Sequence, residues 1–241
     1  IEGFAKIVEG LSQVKKLSNK AKDDISKATS TVRMGSRILL WGPTWSGKTM
    51  SFHTEANKLK KEGKLDYIEK ITISEGFEDL DFLTYIVPQP TWGIKYVERE
   101  IITILREASK GKKVAICLDE INRGSRSFLN FILTLLDGVD WSNYILNNTV
   151  KDEKIVIPME NVLVYATMNL GSRYSGTSAL DEALKDRFTE VHFIGYNLEN
   201  EKEIATNGFG SFAQNALDIV SHVRKESQDG QICSAISTRG L

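Results

Sequence analysis

Only two cysteines occur in the chain, Cys117 and Cys233, too few for a disulfide framework. Three scattered histidines, His53, His192 and His222, offer no metal-ligand cluster by spacing. No apolar run approaches the roughly 18 residues of a membrane-spanning helix. Neither sign of charge dominates, because 31 Lys+Arg stand against 32 Asp+Glu and leave a net charge of -1. That balance argues against a nucleic-acid coat protein or a polybasic membrane binder, although a local basic patch remains compatible with it. Ile1 is not an initiator methionine, and no charged segment followed by an apolar one reads as an intact secretory leader. With the abrupt stop at Leu241, these features predict a trimmed piece of a cytoplasmic protein. What remains is ordinary globular composition, 41% hydrophobic and 26% charged over 241 residues. That length is about 1.6 typical domains.

The order of residues is more informative. Phe4, Ile7, Val8, Leu11, Val14 and Leu17 recur at helical spacing, which predicts one or two amphipathic helices over 4–29. Five apolar runs read as strands: Arg37–Trp41, Lys70–Ser74 (a short buried one), Val114–Leu118, Val162–Thr167 and Val191–Ile194. Helical stretches at 48–62, 96–110 and about 126–137 alternate with them. Such alternation implies parallel connections and an α/β sheet covered on both faces. Val114–Leu118, continuously apolar between Lys113 and Asp119, suits a central strand. The segment 79–95, broken by Pro88 and Pro90, is expected to be irregular, and 138–161 to form a hairpin-like insert. Beyond 198 the pattern becomes helical again.

Gly42-Pro43-Thr44-Trp45-Ser46-Gly47-Lys48-Thr49 fits G-x-x-x-x-G-K-[ST] between a predicted strand and a predicted helix. The two glycines permit backbone conformations in which successive amides wrap a phosphate. Lys48 brings a point charge to β- and γ-phosphates, Thr49 offers a hydroxyl to Mg²⁺, and the helix N-terminus adds its dipole. The pattern alone arises by chance about once in a hundred chains of this length. Its strand-before, helix-after context makes nucleotide binding the stronger reading. Trp45 is bulky for such a loop; covering the loop is its simplest role.

A second acidic site follows the apolar strand. Asp119 at the strand's carboxyl end would hold Mg²⁺ through water, and Glu120 would orient and polarise an attacking water. Ligands of open α/β sheets bind at this edge. Cys117, inside a buried strand, reads as a small core residue rather than a reactive thiol.

Asp119-Glu-Ile-Asn-Arg123 after an apolar strand, Ala166-Thr-Met-Asn169, Leu180-Asp-Glu-Ala-Leu-Lys-Asp-Arg187-Phe188 and Ser237-Thr-Arg239 follow in order. Together they resemble the AAA+ ATPases, in particular the MoxR and McrB-like (dynein-related) branch. The resemblance covers 37–241 and implies a three-layer P-loop NTPase with a parallel five-stranded sheet and a partial helical lid. The domains would be an N-terminal helical segment (1–36), the α/β core (37–196) and the start of the lid (197–241). Asn169 would be the sensor-1 residue that bonds the attacking water or γ-phosphate. Arg187 would be the arginine finger reaching a neighbouring subunit's nucleotide, and Arg239 would open the sensor-2 helix. Arg123 and Arg173 are further candidates for contacts between subunits. The catalytic set is thus Glu120, Lys48, Asn169 and Arg187, with ATP and Mg²⁺ as ligands.

In this branch, ring assembly lets hydrolysis move loops that line a central pore. Phe82, Tyr85, Trp92 and Tyr96 would either grip a partner polypeptide there or pack a subdomain interface. The favoured expectation is a MoxR-like remodeller working as a homo-oligomeric, hexameric ring on a client or adaptor protein, without direct nucleic-acid contact or a membrane span. The alternative is a McrB-like, GTP-dependent motor of a nucleic-acid-processing complex, and a third is a nucleotide-dependent scaffold. Intact Lys48, Asp119 and Glu120 speak against the third.

Overall fold

In the computed structural model the described residues are 32–44, 46–90, 92–138, 142–169, 182–195 and 198–228. The expected helices at 4–29, the side chain of Trp45, and Arg173, Ser237 and Arg239 lie outside them. The described residues fall into two compact units. The first lies within Thr31–Gly42 and Lys48–Phe193; the second takes in those of 43–47 and 194–228.

The first unit is built on five parallel strands: β1 (Arg37–Gly42), β2 (Tyr67–Thr72), β5 (Val114–Asp119), β8 (Val162–Asn169) and β9 (Glu190–Phe193), in spatial order β2-β5-β8-β1-β9. Central β5 is buried at every residue, as its unbroken apolar run predicts. Helix α1 (Lys48–Lys61) covers one face, where Phe52 packs on Tyr165 of β8 with ring centroids 5.2 Å apart. Lys58, Lys60 and Lys61 in its last turn complement the helix dipole. On the other face, Leu39, Ile116, Leu118, Val164 and Ala166 join one core with α3 (Glu100–Ser109) and α4 (Arg126–Asp137) through Ile101, Ile104, Leu105, Phe128 and Ile132. Ser125 caps α4 by accepting from the Phe128 amide at 3.1 Å. The fold is therefore the expected α/β sheet with helices on both faces.

Two local expectations are corrected. The second strand begins at Tyr67 rather than Lys70, and it is a half-exposed edge strand rather than a buried one. The segment 79–95 is not irregular: a short helix α2 (Asp79–Leu83) leads into an antiparallel hairpin, β3 (Thr84–Pro88) with β4 (Ile94–Glu98). Pro88 sits at the strand's end, where no sheet interior is interrupted. The helix expected from 96 consequently starts at Glu100. The insert is a hairpin as expected, β6 (Asn143–Asn148) with β7 (Glu153–Pro158).

An ionic cluster ties α3 to both hairpins. Arg106 donates to Glu98 at 2.8 and 3.2 Å and to Glu153 at 2.7 and 3.1 Å, and Lys151 reaches Glu98 at 2.8 Å. The Arg106 hydrogen bonds hold the Glu98 carboxyl down at about 2. Asn148 adds a further donor to Glu98 at 2.8 Å. Bidentate guanidinium contacts of this kind fix orientation as well as energy.

The second unit contains α6 (Leu198–Phe209) and α7 (Ala213–Gln228), with α5 (Glu182–Lys185) preceding β9 in the first. Arg224 of α7 is held bidentately by Glu201 of α6 at 2.7 and 2.8 Å. Glu201 is 1% exposed, so removing either partner would strand a buried charge.

Candidate functional site

The parallel register brings the chemistry-bearing residues to one edge. Gly42 pairs with Asn169, Leu118 with Ala166, and Thr72 with Asp119, so the carboxyl ends of four neighbouring strands present Thr72, Asp119, Asn169 and Gly42 together. This is where open α/β sheets bind ligands.

Gly42 has φ +154° and Gly47 φ +98°, values that side-chain-bearing residues resist. Lys48 opens α1 and is 6% exposed, with its Nζ donating to the Gly42 carbonyl at 3.1 Å. Burial pulls its ammonium down to about 8, although Asp119 and Glu120 oppose the shift. A buried ammonium that is costly to keep charged is suited to meeting an anion.

Asp119 is the most heavily bonded acid of the site. Its Oδ1 accepts from the hydroxyls of Thr49 and Thr167, each at 2.7 Å. Its Oδ2 pairs with Lys70 Nζ at 3.2 Å. Thr49 and Asp119 thus place a hydroxyl and a carboxylate side by side, the hard oxygen donors that suit Mg²⁺. Among the described residues, no cluster of three or more His, Cys, Asp or Glu offers a rival metal site.

Glu120 adopts φ +60°, ψ +43°, the left-handed region. For a residue with a Cβ this conformation costs of order 1–3 kcal/mol, and such strain clusters at functional sites. The consequence is a carboxylate turned along the sheet edge. Its Oε1 accepts from Asn169 Nδ2 at 3.0 Å. Its Oε2 lies 2.8 Å from Arg123 Nε, an ion pair whose N–H is not aimed along a hydrogen bond. Asn122 steadies this edge by donating to the Asn169 carbonyl at 3.2 Å.

Lys48, Thr49, Asp119, Glu120 and Asn169 therefore converge as the sequence reading requires. Arg187 is bonded elsewhere: its Nε contacts Asp137 at the end of α4 at 2.6 Å, and its Nη1 donates to the Ala183 carbonyl at 3.1 Å. Three contributors escaped the sequence reading. Thr167 stands inside the Ala166–Asn169 run, Lys70 lies on the edge strand, and Arg123, a candidate for contacts between subunits, pairs with Glu120 instead. Only the last had a signal, the i,i+3 spacing from Glu120. Cys117 is fully buried, and burial pushes its thiol well up, away from the reactive thiolate.

A strand, a Gly-rich loop with Lys-Thr, and a parallel strand ending in paired acids define a P-loop nucleotide-binding protein. The AAA domain of the dynein-related subfamily matches residues 37–188, well over half the chain. The chain belongs to that family and is a AAA+ ATPase. Midasin of Giardia intestinalis is 29% identical over 174 residues. That match takes in 70% of this chain but spans 3% of midasin's length. The crystal structure of NtrX from Brucella abortus in complex with ADP is also similar, with 14% identity and a TM-score of 0.48 over 82% of this chain and 44% of that one. No helix among the described residues is long and apolar enough to cross a membrane.

Proposed function

We propose that the chain is the ATP-hydrolysing part of a MoxR-like remodeller that assembles with copies of itself and acts on a partner protein. The observation that carries the chemistry is the convergence of Lys48, Thr49, Asp119, Glu120 and Asn169 on one sheet edge. Lys48 would bind the β- and γ-phosphates as a point charge. A magnesium ion held by Thr49 and Asp119 would neutralise charge developing on the phosphates. Glu120 would take a proton from water as that water's oxygen bonds the γ-phosphorus and the bond to the β,γ-bridging oxygen breaks, leaving ADP and phosphate. Each Glu120 oxygen has one partner, Asn169 on Oε1 and Arg123 on Oε2, and each keeps a further lone pair to accept from the water.

Action on a protein partner is supported by the β3–β4 hairpin. Tyr85, Ile86, Ile94 and Tyr96 are exposed along it, and Trp92 at its turn is 99% exposed. Exposed apolar side chains concentrated on one hairpin mark contact surfaces more often than chance. Phe82, by contrast, is fully buried against Phe128 and Phe131, so packing claims one of the four aromatics expected to grip. With a net charge of -1, nothing electrostatic favours the GTP-dependent, nucleic-acid-processing alternative.

Arg187 is assigned to a neighbouring copy's γ-phosphate. Its pair with Asp137 is exposed on the Asp137 side and half-buried on its own, and pairs this open to water contribute little, so releasing it costs little. In an assembled oligomer, Arg187→Ala should lower the hydrolysis rate by about a thousandfold while leaving assembly intact. An unchanged rate would remove Arg187 from the catalytic set.

A further inference from the structure

One hydroxyl touches both acids of the site. Thr167 of β8 is 1% exposed. Its Oγ1 lies 2.7 Å from Asp119 Oδ1 and 3.0 Å from the Glu120 backbone nitrogen. The polarity of this pair of bonds is settled by chemistry. An ionised carboxylate only accepts and a backbone N–H only donates, so the hydroxyl donates to Asp119 and accepts from Glu120.

The two bonds do different work. Donation to Oδ1 fixes the carboxylate plane from the side opposite β2, while Lys70 holds Oδ2. That leaves Asp119 presented to the Thr49 hydroxyl at 2.7 Å. Acceptance from Glu120 supplies a partner for an amide that has left the strand ladder as the chain turns left-handed at φ +60°. A buried amide without a partner would add to the strain already present there. The left-handed turn in turn sets the Glu120 carboxylate against Asn169.

We propose that Thr167 is a positioning residue for hydrolysis, acting through Asp119 and Glu120 together rather than on the nucleotide. It couples the orientation of the metal-holding acid to that of the water-activating one. The proposal rests on the ATPase reading of this edge. It requires the hydroxyl and not merely the shape of threonine, so valine and serine separate the two.

In the full chain, under assembling conditions, Thr167→Val should lower kcat for ATP about tenfold to a hundredfold, change KM by less than threefold, and raise the Mg²⁺ concentration needed for half-maximal rate. Thr167→Ser should stay within about threefold of wild type in all three. A purely structural hydroxyl would instead lower melting temperature and active fraction, leaving the kcat and Mg²⁺ dependence of the folded protein unmoved. Wild-type kcat and Mg²⁺ requirement in folded Thr167→Val overturn the proposal, as does a tenfold loss in Thr167→Ser. Should valine prevent folding, Thr167→Ala replaces it: a tenfold loss of kcat beside an active serine variant supports the role, and wild-type kcat overturns it. Glu120→Gln run in parallel keeps the two readings apart. If that variant hydrolyses ATP normally, the ATPase reading of the edge has failed, whatever Thr167 does.

Discussion

Glu120→Gln is expected to lower ATP hydrolysis by about a hundredfold to ten-thousandfold while nucleotide stays bound. Glutamine keeps the length of the side chain and a carbonyl oxygen that can still accept from Asn169. It also keeps the backbone amide that donates to Thr167, so the left-handed turn has no reason to relax. What it loses is the basic oxygen that would take the proton and the ion pair with Arg123. Ground-state binding depends on Lys48 and the phosphate loop, which the substitution does not touch. The measurable signature is a chain that copurifies with, or retains on filtration, nucleoside triphosphate in a stable oligomer without releasing phosphate. Hydrolysis within tenfold of wild type would remove Glu120 from the chemistry.

Lys48→Ala should act at the other step. Its ammonium is buried, held near the Gly42 carbonyl, and shifted down to about 8 by that burial. Phosphate oxygens would stabilise the charge that burial disfavours, and charge-assisted bonds to an anion contribute about 1.5–3 kcal/mol each. With more than one such bond lost, ATP affinity should fall a hundredfold or more. The sign of the pKa shift separates this from unfolding. A lysine whose folded value lies below its ordinary 10.5 is held charged at a cost below about pH 8, a cost relieved as pH rises toward its unfolded value. Removing it should therefore leave the melting temperature of the nucleotide-free chain unchanged or raised. Calorimetric titration with ATP, beside a melting curve without it, reads both effects.

How far the residues announced this arrangement varies with the kind of signal each element carries. β5 was legible because a strand covered on both faces must be apolar throughout, and Lys113 and Asp119 bound it. The phosphate loop was legible because it needs particular residue types at fixed spacing. β2 was displaced because it is an edge: Tyr67, Ile68, Glu69 and Lys70 are all half-buried, so apolar content does not mark where it starts. The β3–β4 hairpin was hidden for a related reason. Among the described residues its two strands pair only with each other and expose apolar side chains, while Pro88 and Pro90 read as breaks.

At the site, Lys48, Thr49, Asp119, Glu120 and Asn169 were named from the chain alone, and the structure brings them together. Thr167 and Lys70 were not named, because their contacts depend on register. Only the pairing of β8 and β2 against β5 carries them to Asp119. Arg123 required the left-handed turn at Glu120 before its spacing became a contact. Arg187, for which an ordinary helix-end salt bridge is the alternative to a finger, makes such a pair with Asp137.

Phosphate release from ATP and from GTP distinguishes a protein-remodelling ATPase from a GTP-driven nucleic-acid motor. The rates should be followed at rising concentrations of the chain. ATP should be hydrolysed in preference to GTP, at a rate per chain that increases as copies meet and Arg187 reaches its neighbour. A strong preference for GTP would contradict the proposed function, and release from neither nucleotide at any concentration would contradict the catalytic reading of the site itself.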